Sequence, residues 1–373
     1  MRFAFSADQE ELRRGARRFL DAHSPSKSVR EQMATERGWD PAVWRRIGVE
    51  LGWPSLIIPE QYGGSGYGQV ELVGLMEEMG RALLCAPFFS SVCLATNCLL
   101  SGADEAQKAH WLPALASGES TATLAWVEQD GRWDASTTQA RFVREGDDFL
   151  ITGQKSFVLD GHTADWLIVA ARGDQAELAL FLVPATSEGL SRRALTTMDQ
   201  TRKQAEIVLA GVRVPADHRL AGDGLATLER TLDLAAAALA AEQVGGADRC
   251  LEMAVDYAKV RVQFNRPIGS FQAIKHKCAE MLVRVESARS AAYYAGWAAA
   301  ESPADLPLAA SQAKAYCSDA YFHCAAENIQ IHGGIGFTWE HDAHLYFKRA
   351  RSSEALLGDA AYHRERFARR MGL

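Results

Sequence analysis

Residues 330–340 read Gln-Ile-His-Gly-Gly-Ile-Gly-Phe-Thr-Trp-Glu, and they carry the strongest single indication of the fold. Paired glycines beside polar side chains let backbone N–H groups come close to a phosphate. Upstream, residues 261–264 read Arg-Val-Gln-Phe and residues 271–274 read Phe-Gln-Ala-Ile. A guanidinium at a fixed position can pair with a phosphate through two parallel hydrogen bonds. The three segments together therefore favour recognition of a phosphate-bearing ligand.

The composition narrows the class of protein. The chain has 373 residues, 48% hydrophobic and 23% charged, which is typical of a globular protein with two or three domains. A net charge of -7 argues against a general nucleic-acid binder, because neutralising phosphates needs a basic surface. No apolar run is long enough to span a bilayer. The N-terminus turns acidic at once and shows no signal-peptide core, so a cytoplasmic location is expected.

The cysteines and histidines give no indication of a metal site. Seven cysteines are scattered along the chain without a Cys-x-x-Cys pair. This spacing predicts reduced, mostly buried thiols rather than disulfides. No group of His, Cys and carboxylate residues has the spacing of metal ligands, so no metal is expected.

The periodicity divides the chain into three regions. Residues 1–118 read as helical, beginning with a capping box in which Ser6 is followed three residues later by Gln9. Residues 119–224 change to a period of two and predict a small antiparallel β domain, with hairpins across 140–153 and 165–183 and a further strand at 205–214. Residues 225–373 predict a four-helix bundle, with helices at 225–263, 271–300, 306–332 and 342–370. The order α, β, α fits no dinucleotide-binding βαβ unit, and the glycine-rich segments lack its spacing.

Five short motifs occur in the order typical of one family of flavoenzymes. They are Ile58–Gly64, Gly153–Lys155, Val212–Pro215, Tyr257–Phe264 and Gln330–Gly334. On these motifs the whole chain resembles the acyl-CoA dehydrogenase family. The resemblance implies an α+β fold with a helical N-terminal domain, an antiparallel β middle domain and a C-terminal four-helix bundle.

The resemblance also implies a reaction. Members of the family catalyse α,β-dehydrogenation of an acyl-CoA thioester with FAD as cofactor, in fatty acid or steroid side-chain degradation. A glutamate removes the α-proton, the flavin takes the β-hydride, and hydrogen-bond donors hold the thioester carbonyl. Electrons normally leave through electron-transfer flavoprotein. The proteins are usually tetramers in which each FAD lies across a subunit interface.

The family's motifs assign cofactor-binding residues to this chain. Eight positions match those that one subunit offers to its neighbour's FAD: Arg261, Gln263, Phe264, Phe271, Gln272, Gln330, Gly333 and Gly334. Four of them also have a structural interpretation: Arg261 as a surface arginine, Gln272 as a core amide, and Gly333 and Gly334 as a helix C-cap.

The other half of the expected flavin site departs from the family pattern. Residues 127–134 read Val-Glu-Gln-Asp-Gly-Arg-Trp-Asp where relatives have a Thr-Glu-Pro-Gly-x-Gly-Ser-Asp-like loop. The threonine and serine that would bind flavin and substrate are absent. A Trp-Ile-Thr-like segment becomes Phe157-Val158-Leu159, so Phe157 keeps a ring to shield the flavin and Leu159 has no hydroxyl for its edge.

The catalytic base is missing from both positions at which the family carries it. The usual Glu-Gly-Thr falls at Leu357-Gly358-Asp359, and the alternative position on the first helix of the bundle is Ala235. Four nearby carboxylates are candidate substitutes: Asp233, Glu242, Glu354 and Asp359. For Glu242 an ion pair between helices or subunits is favoured over catalysis, since a charge in an apolar helix needs a partner.

Three functions remain open. The chain is a subunit that completes a partner's FAD site in an α2β2 heterotetramer with a catalytic family member, or a self-sufficient homotetrameric dehydrogenase with a relocated carboxylate base. A flavin monooxygenase or oxidase of the same fold is the third possibility. The first is favoured slightly, because the residues donated across an interface are present while the chain's own half of the site is lost.

Overall fold

The computed structural model describes residues 5–373. Residues 1–4 belong to the N-terminal segment in which no signal peptide is expected, and they lie outside the described residues. Contacts between Cα atoms divide the chain into two compact units. The first comprises residues 1–30, 69–84 and 236–373, and the second comprises residues 31–68 and 85–235.

Helices make up most of the first unit and the N-terminal part of the second. The α-helices are α1 Ala7–His23, α2 Ser26–Met33, α3 Pro41–Val49, α4 Gln69–Arg81, α5 Asn97–Gly102, α6 Glu105–Ala116, α7 Gly224–Val260, α8 Gln272–Glu301, α9 Leu306–His332, α10 Ala343–Ala355 and α11 Ala360–Arg370. A π-helix precedes α5 at Phe89–Thr96. None of the helices within residues 5–373 is both long and apolar enough to cross a membrane.

The predicted capping box begins the first helix. The Ser6 hydroxyl accepts from the Gln9 backbone N–H, and the Gln9 side chain accepts from the Ser6 backbone N–H. These two bonds satisfy donors that the first turn of a helix leaves without partners. The helical N-terminal region predicted from the sequence is therefore confirmed at its first element.

In the first unit α9 packs against α8, α10 and α11, and α4 packs against α1 and α8. The prediction of a single fourth helix at residues 342–370 is wrong. These residues form two helices, α10 and α11, separated by a turn at residues 356–359. Leu357 and Gly358 have positive φ angles of 64° and 99° in this turn, which an α-helix cannot accommodate.

The second unit is built around a seven-stranded sheet. Its strands are β1 Ala122–Ala125, β2 Arg141–Glu145, β3 Asp148–Leu159, β4 Trp166–Arg172, β5 Leu178–Pro184, β6 Leu190–Ala194 and β7 Gln204–Pro215. The strand order is β1-β4-β2-β3-β7-β6, with β5 also paired to β4. Two further short strands, β8 Val262–Gln263 and β9 Arg266–Pro267, form a separate hairpin in the first unit.

The alternation of apolar and polar residues in the sequence corresponds to the residues that face the core of this sheet. Along β7 the buried residues include Ala205, Ile207 and Leu209, and after a bulge Val212 and Val214. Both predicted hairpins are present as β2–β3 and β4–β5. The sheet is antiparallel except where β4 runs parallel to β1 and to the start of β2, and β1 and β6 were not predicted. Both are short, and a strand of four or five residues carries little periodic signal.

Candidate cofactor-binding face and catalytic position

The segment between α7 and α8 folds into the hairpin of β8 and β9, in which Gln263 lies opposite Arg266. The two turn residues, Phe264 and Asn265, have φ angles of 53° and 59°. Positive φ at both central residues is what a type I′ turn requires, and this turn matches the twist of the paired strands. The tight turn holds the Phe264 side chain in solvent, with 87% of its surface exposed.

Phe271, the residue before α8, joins the hairpin to that helix. Its ring meets the Phe264 ring edge to face, with centroids 6.0 Å apart. The Arg266 guanidinium lies 4.0 Å from the Phe271 ring centroid. The hairpin and the start of α8 therefore present aromatic and cationic groups side by side.

The end of α9 lies beside the end of α7, because the Tyr257 and His332 rings stack with centroids 4.3 Å apart. Gly333 follows as the C-cap of α9, with φ of 62° and ψ of -140°, a conformation open mainly to glycine. A Cβ built at Gly333 or Gly334 would meet no atom within 4 Å. The C-cap interpretation of the glycines thus holds for Gly333, and the backbone is also open to a ligand or partner.

His332 is a packing residue in this arrangement. It is buried, and its Nδ1 lies 2.8 Å from the carbonyl oxygen of Asn328. Burial lowers the pKa of His332 from its usual value, so a neutral ring that donates through Nδ1 fits this contact.

Most of the eight residues predicted to reach a neighbour's FAD are accessible. Seven are exposed and Phe271 is half-buried; the exposed ones are Arg261, Gln263, Phe264, Gln272, Gln330, Gly333 and Gly334. Gln272 is therefore not a core amide within this chain. Exposed guanidinium and amide groups beside open backbone N–H groups fit the phosphates and hydroxyls of a dinucleotide such as FAD.

Apolar side chains surround these polar groups. Val260, Val262, Ile335 and Phe337 are all exposed, and Phe337 is exposed by 80%. They lie at the ends of α7 and α9, next to the predicted cofactor residues in the chain. Exposed apolar residues grouped in this way indicate a surface that another protein covers. We call residues 260–264 and 333–337 the donor face.

The turn between α10 and α11 contains the position at which the family's base is expected. Leu357 is 4% exposed and has φ of 64°. A left-handed conformation costs a residue with a Cβ about 1–2 kcal/mol, and it is unusual for leucine. Ala235, the alternative position, is fully buried in α7. Neither side chain can accept a proton.

Three of the four candidate substitutes already have another role. Glu242 is buried and forms an ion pair with Arg349 of α10 at 2.7 Å, which confirms the interhelical ion pair. Glu354 forms an ion pair with Arg351 at 2.6 Å. The Asp359 carboxylate accepts from the backbone N–H of Tyr362 and caps α11. Asp233 is buried within α7 at 3% exposure.

Loop 127–134, in which the family's threonine and serine are missing, is held by a buried ion pair. The Glu128 carboxylate lies 2.7 Å from the Lys155 ammonium and also accepts from the backbone N–H groups of Gln139 and Ala140. Lys155 is fully buried in β3, and burial lowers its pKa to about 8. The sequence singled out 153–155 as a motif without giving Lys155 a partner. No local signal pointed to this partner, because Gln154 and Ser156 make the stretch around Lys155 polar.

Phe157 stands at a bulge in β3, where the register with β7 shifts between Lys155 and Val158. Its φ is 57° and its side chain is 38% exposed. Bulges commonly redirect a side chain out of the strand pattern. The ring lies beside the loop, since a Cβ built at Gly131 would be 3.8 Å from it. Leu159, by contrast, is buried.

No metal centre accompanies these residues. Across residues 5–373, no three His, Cys, Asp or Glu side chains come together in a way that could hold a metal ion. All seven cysteines are free thiols, and six of them are buried.

Sequence models of one protein family match almost the whole chain. The model for the acyl-CoA dehydrogenase N-terminal domain matches residues 6–119, that for the middle domain residues 123–212, and that for the C-terminal domain residues 222–372. Among curated proteins, acyl-CoA dehydrogenase IpdE2 of Mycobacterium tuberculosis is 35% identical over 351 residues, which are 94% of this chain and 93% of that protein.

Solved structures agree with this similarity. A chain of the ChsE4-ChsE5 complex from Mycobacterium tuberculosis matches with a TM-score of 0.91 and 29% identity, covering 100% of this chain and 99% of that one. Butyryl-CoA dehydrogenase from Megasphaera elsdenii matches with a TM-score of 0.92 and 25% identity, over 100% of both chains. The likeness therefore extends over the full length of the fold.

Proposed function

Because the chain belongs to the acyl-CoA dehydrogenase family, we propose that it is the subunit that completes a partner's FAD site in the α,β-dehydrogenation of an acyl-CoA thioester. Proteins of this family are FAD-dependent oxidoreductases. In the proposed assembly, a second family member carries the base. This chain contributes the donor face together with Phe271, Gln272 and Gln330.

The observation that carries the proposal is the absence of a proton acceptor at positions 357 and 235, where the family's base is expected. Removal of an α-proton needs a group that can accept it within hydrogen-bond reach of the substrate. Position 357 holds a buried leucine, and position 235 holds a buried alanine. The ion pairs of Glu242 and Glu354 and the capping role of Asp359 leave those carboxylates committed to the fold.

The donor face supports the binding half of the proposal. Arg261 would pair with the pyrophosphate, and the open backbone at Gly333 and Gly334 would let a phosphate or ribose approach closely. Phe264 and Phe271 offer ring surface to the adenine or flavin. When bound, FAD accepts the hydride of the substrate. The chain's own part is to hold the cofactor and to exclude water from it.

A heteromeric assembly agrees with the exposed apolar residues and with the relatives. The match to a chain of the ChsE4-ChsE5 complex supports a partner of the same fold rather than a copy of the same chain. We propose an α2β2 heterotetramer with electron-transfer flavoprotein as electron acceptor. Steroid side chains or fatty acyl groups, carried as CoA thioesters, are the proposed substrates.

The test is the flavin content of the purified chain, with and without a family partner. We expect a colourless protein when the chain is expressed alone, and a yellow complex when it is expressed with a family member that has an intact glutamate. The control is the partner expressed alone. Flavin bound in equimolar amount by this chain alone, with reduction by an acyl-CoA, would replace the proposal with a self-sufficient dehydrogenase. In that case Asp233, Glu242, Glu354 and Asp359 would each be replaced by the amide and assayed.

A further inference from the structure

The turn between α10 and α11 has a backbone conformation that its own sequence does not favour. Leu357 and Gly358 are both left-handed. Gly358 is required there, because a Cβ would lie 2.2 Å from the Tyr362 ring. Leu357 has a Cβ, and a bulky side chain avoids the left-handed region unless the surrounding structure imposes it.

A buried lysine from α9 reaches this turn. Lys314 is fully buried, and its Nζ lies 3.1 Å from the carbonyl oxygen of Glu354 and 3.0 Å from that of Gly358. It also lies 2.9 Å from the Ser318 hydroxyl. An ammonium has three N–H donors, so these three contacts use all of them. Lys314 forms no ion pair with a carboxylate among the salt bridges found within residues 5–373.

The carbonyl of Leu357, which lies between Glu354 and Gly358 in the chain, is bound by a second side chain. The His363 Nε2 of α11 lies 3.0 Å from the carbonyl oxygen of Leu357, and His363 is buried. Burial, and then the neighbouring Lys314, hold the pKa of His363 well below its usual value. The neutral ring therefore donates to Leu357 through Nε2. Three carbonyls of one short segment, 354–358, are thus held by side chains of α9 and α11.

We propose that Lys314 is a positioning residue, whose donors bind the carbonyls of Glu354 and Gly358 and so fix residue 357 in its left-handed conformation. A positive charge on Lys314 is favourable at this position, because the C-terminal end of α10 carries a partial negative charge on its free carbonyls. Burial lowers the pKa of Lys314 to about 7, and the neighbouring Glu354 and Asp359 carboxylates oppose that shift. The importance of residue 357 rests on the proposed function, in which this is the position where the family resemblance places the base.

The test is hydrogen exchange, followed by mass spectrometry, of peptides covering residues 352–363 in the full chain and its complex. Lys314→Met keeps the length and fills the space without any donor. We expect exchange in these peptides to accelerate about tenfold or more, as buried carbonyls lose their partners. Lys314→Arg, which restores donors and charge, is expected to recover at least part of the protection. Lys259→Met, at an exposed lysine of α7, is the matched control.

Two results with the first pair of variants would overturn the proposal. One is unchanged exchange across 352–363 in Lys314→Met, and the other is equal acceleration in Lys314→Met and Lys314→Arg, which would mean that shape alone matters. If Lys314→Met does not fold, Lys314→Gln, which keeps two donors, is expected to show an intermediate acceleration; wild-type exchange in that variant would also overturn it. Flavin content is not used here, so a failure of the proposed function would leave this result standing.

Discussion

Glu128 shows how one side chain can hold a loop, here residues 127–134. Its carboxylate binds Lys155 and two backbone N–H groups, and Lys155 also lies 3.3 Å from the carbonyl oxygen of Trp126. The lysine is fully buried, so the pair is shielded from water. A buried ion pair contributes little net stability when intact, but a partner left alone is costly.

We therefore expect Glu128→Ala to lower the free energy of unfolding by about 3 kcal/mol, because it leaves the Lys155 charge buried without a carboxylate. Denaturant unfolding of the purified protein measures the change. The double variant Glu128→Ala/Lys155→Met, which removes both charges, should recover a large part of the loss. Equal stability of the single and double variants would contradict this account.

His363 should make the protein sensitive to acid. Its pKa is held well below its usual value by burial and by Lys314. Between the folded pKa and the ordinary value of about 6.5, the unfolded chain binds a proton that the folded chain does not. Stability therefore falls as the pH falls below about 6.5, by up to about 1.4 kcal/mol per pH unit for this one residue.

The measurement is unfolding free energy between pH 7 and pH 5, for the parent protein and for His363→Gln. The glutamine keeps a donor for the Leu357 carbonyl but does not titrate, so the slope should become shallower. His323→Gln is the control. Burial also lowers the pKa of His323, but that residue is only partly buried, so its replacement should change the slope less. An unchanged slope in His363→Gln would show that the ring is not held neutral by the fold.

At the scale of elements, α4 and the part of α7 in the first unit come into close contact at glycine residues. A Cβ at Gly80 would lie 1.9 Å from the backbone oxygen of Glu242, and one at Gly245 would lie 1.8 Å from that of Glu77. Neither obstacle is a flexible side chain, so the helices would have to move apart. Glu242, which pairs with Arg349 of α10, lies on the same stretch of α7.

Gly245→Ala should therefore lower the free energy of unfolding by about 3 kcal/mol through overpacking. Gly15→Ala in α1 is the matched control, because its Cβ would meet only the end of the Arg18 side chain at 4.0 Å. That change should raise stability by about 0.5–1 kcal/mol, as alanine favours a helix interior. Thermal or denaturant unfolding distinguishes the two, and equal effects would mean that the crossing is looser than described.

The final helical segment shows where periodicity misleads. Residues 342–370 carry a helical pattern almost throughout, and a single helix was the natural prediction. At the break, Lys314 and His363, which lie outside the turn, bind the carbonyls of Glu354, Leu357 and Gly358. A Gly-Asp pair can continue or end a helix, so contacts at a distance decided between the two.

At the scale of the whole molecule, the donor face should control assembly. Exposed apolar residues of this kind gain stability when a partner covers them. We expect Phe337→Asp to weaken the complex with a family partner by about tenfold or more, because the charge would be buried at the interface. Met198→Asp, at a residue exposed by 53% in the second unit, is the control. Light scattering after size-exclusion chromatography measures the assembly.

Arg261→Ala tests the cofactor role separately from assembly. The guanidinium is exposed and placed beside the hairpin, so its loss should leave the folded chain intact. We expect the complex to form but to release FAD at least about tenfold more readily, since a charge-assisted phosphate contact is worth about 1.5–3 kcal/mol. Flavin fluorescence after dilution follows the release. Undiminished flavin retention would remove Arg261 from the site.

The sequence by itself determined the order of helical, β and helical regions, the main hairpins, the capping box and the family. These features are local, because periodicity, caps and glycine turns are written in contiguous residues. It also determined that positions 235 and 357 hold no base. The domain boundaries at 118 and 224 and the cofactor-binding roles of individual residues stay predictions.

Only the tertiary structure decided which charged groups are committed to the fold. The Glu242–Arg349 pair joins residues 107 positions apart, and Lys314 binds a carbonyl 44 positions away. It also decided that the predicted cofactor residues are mostly exposed, and that Leu357 is left-handed. Such pairings depend on how helices pack, and a short-range pattern carries no information about a partner that arrives from another helix.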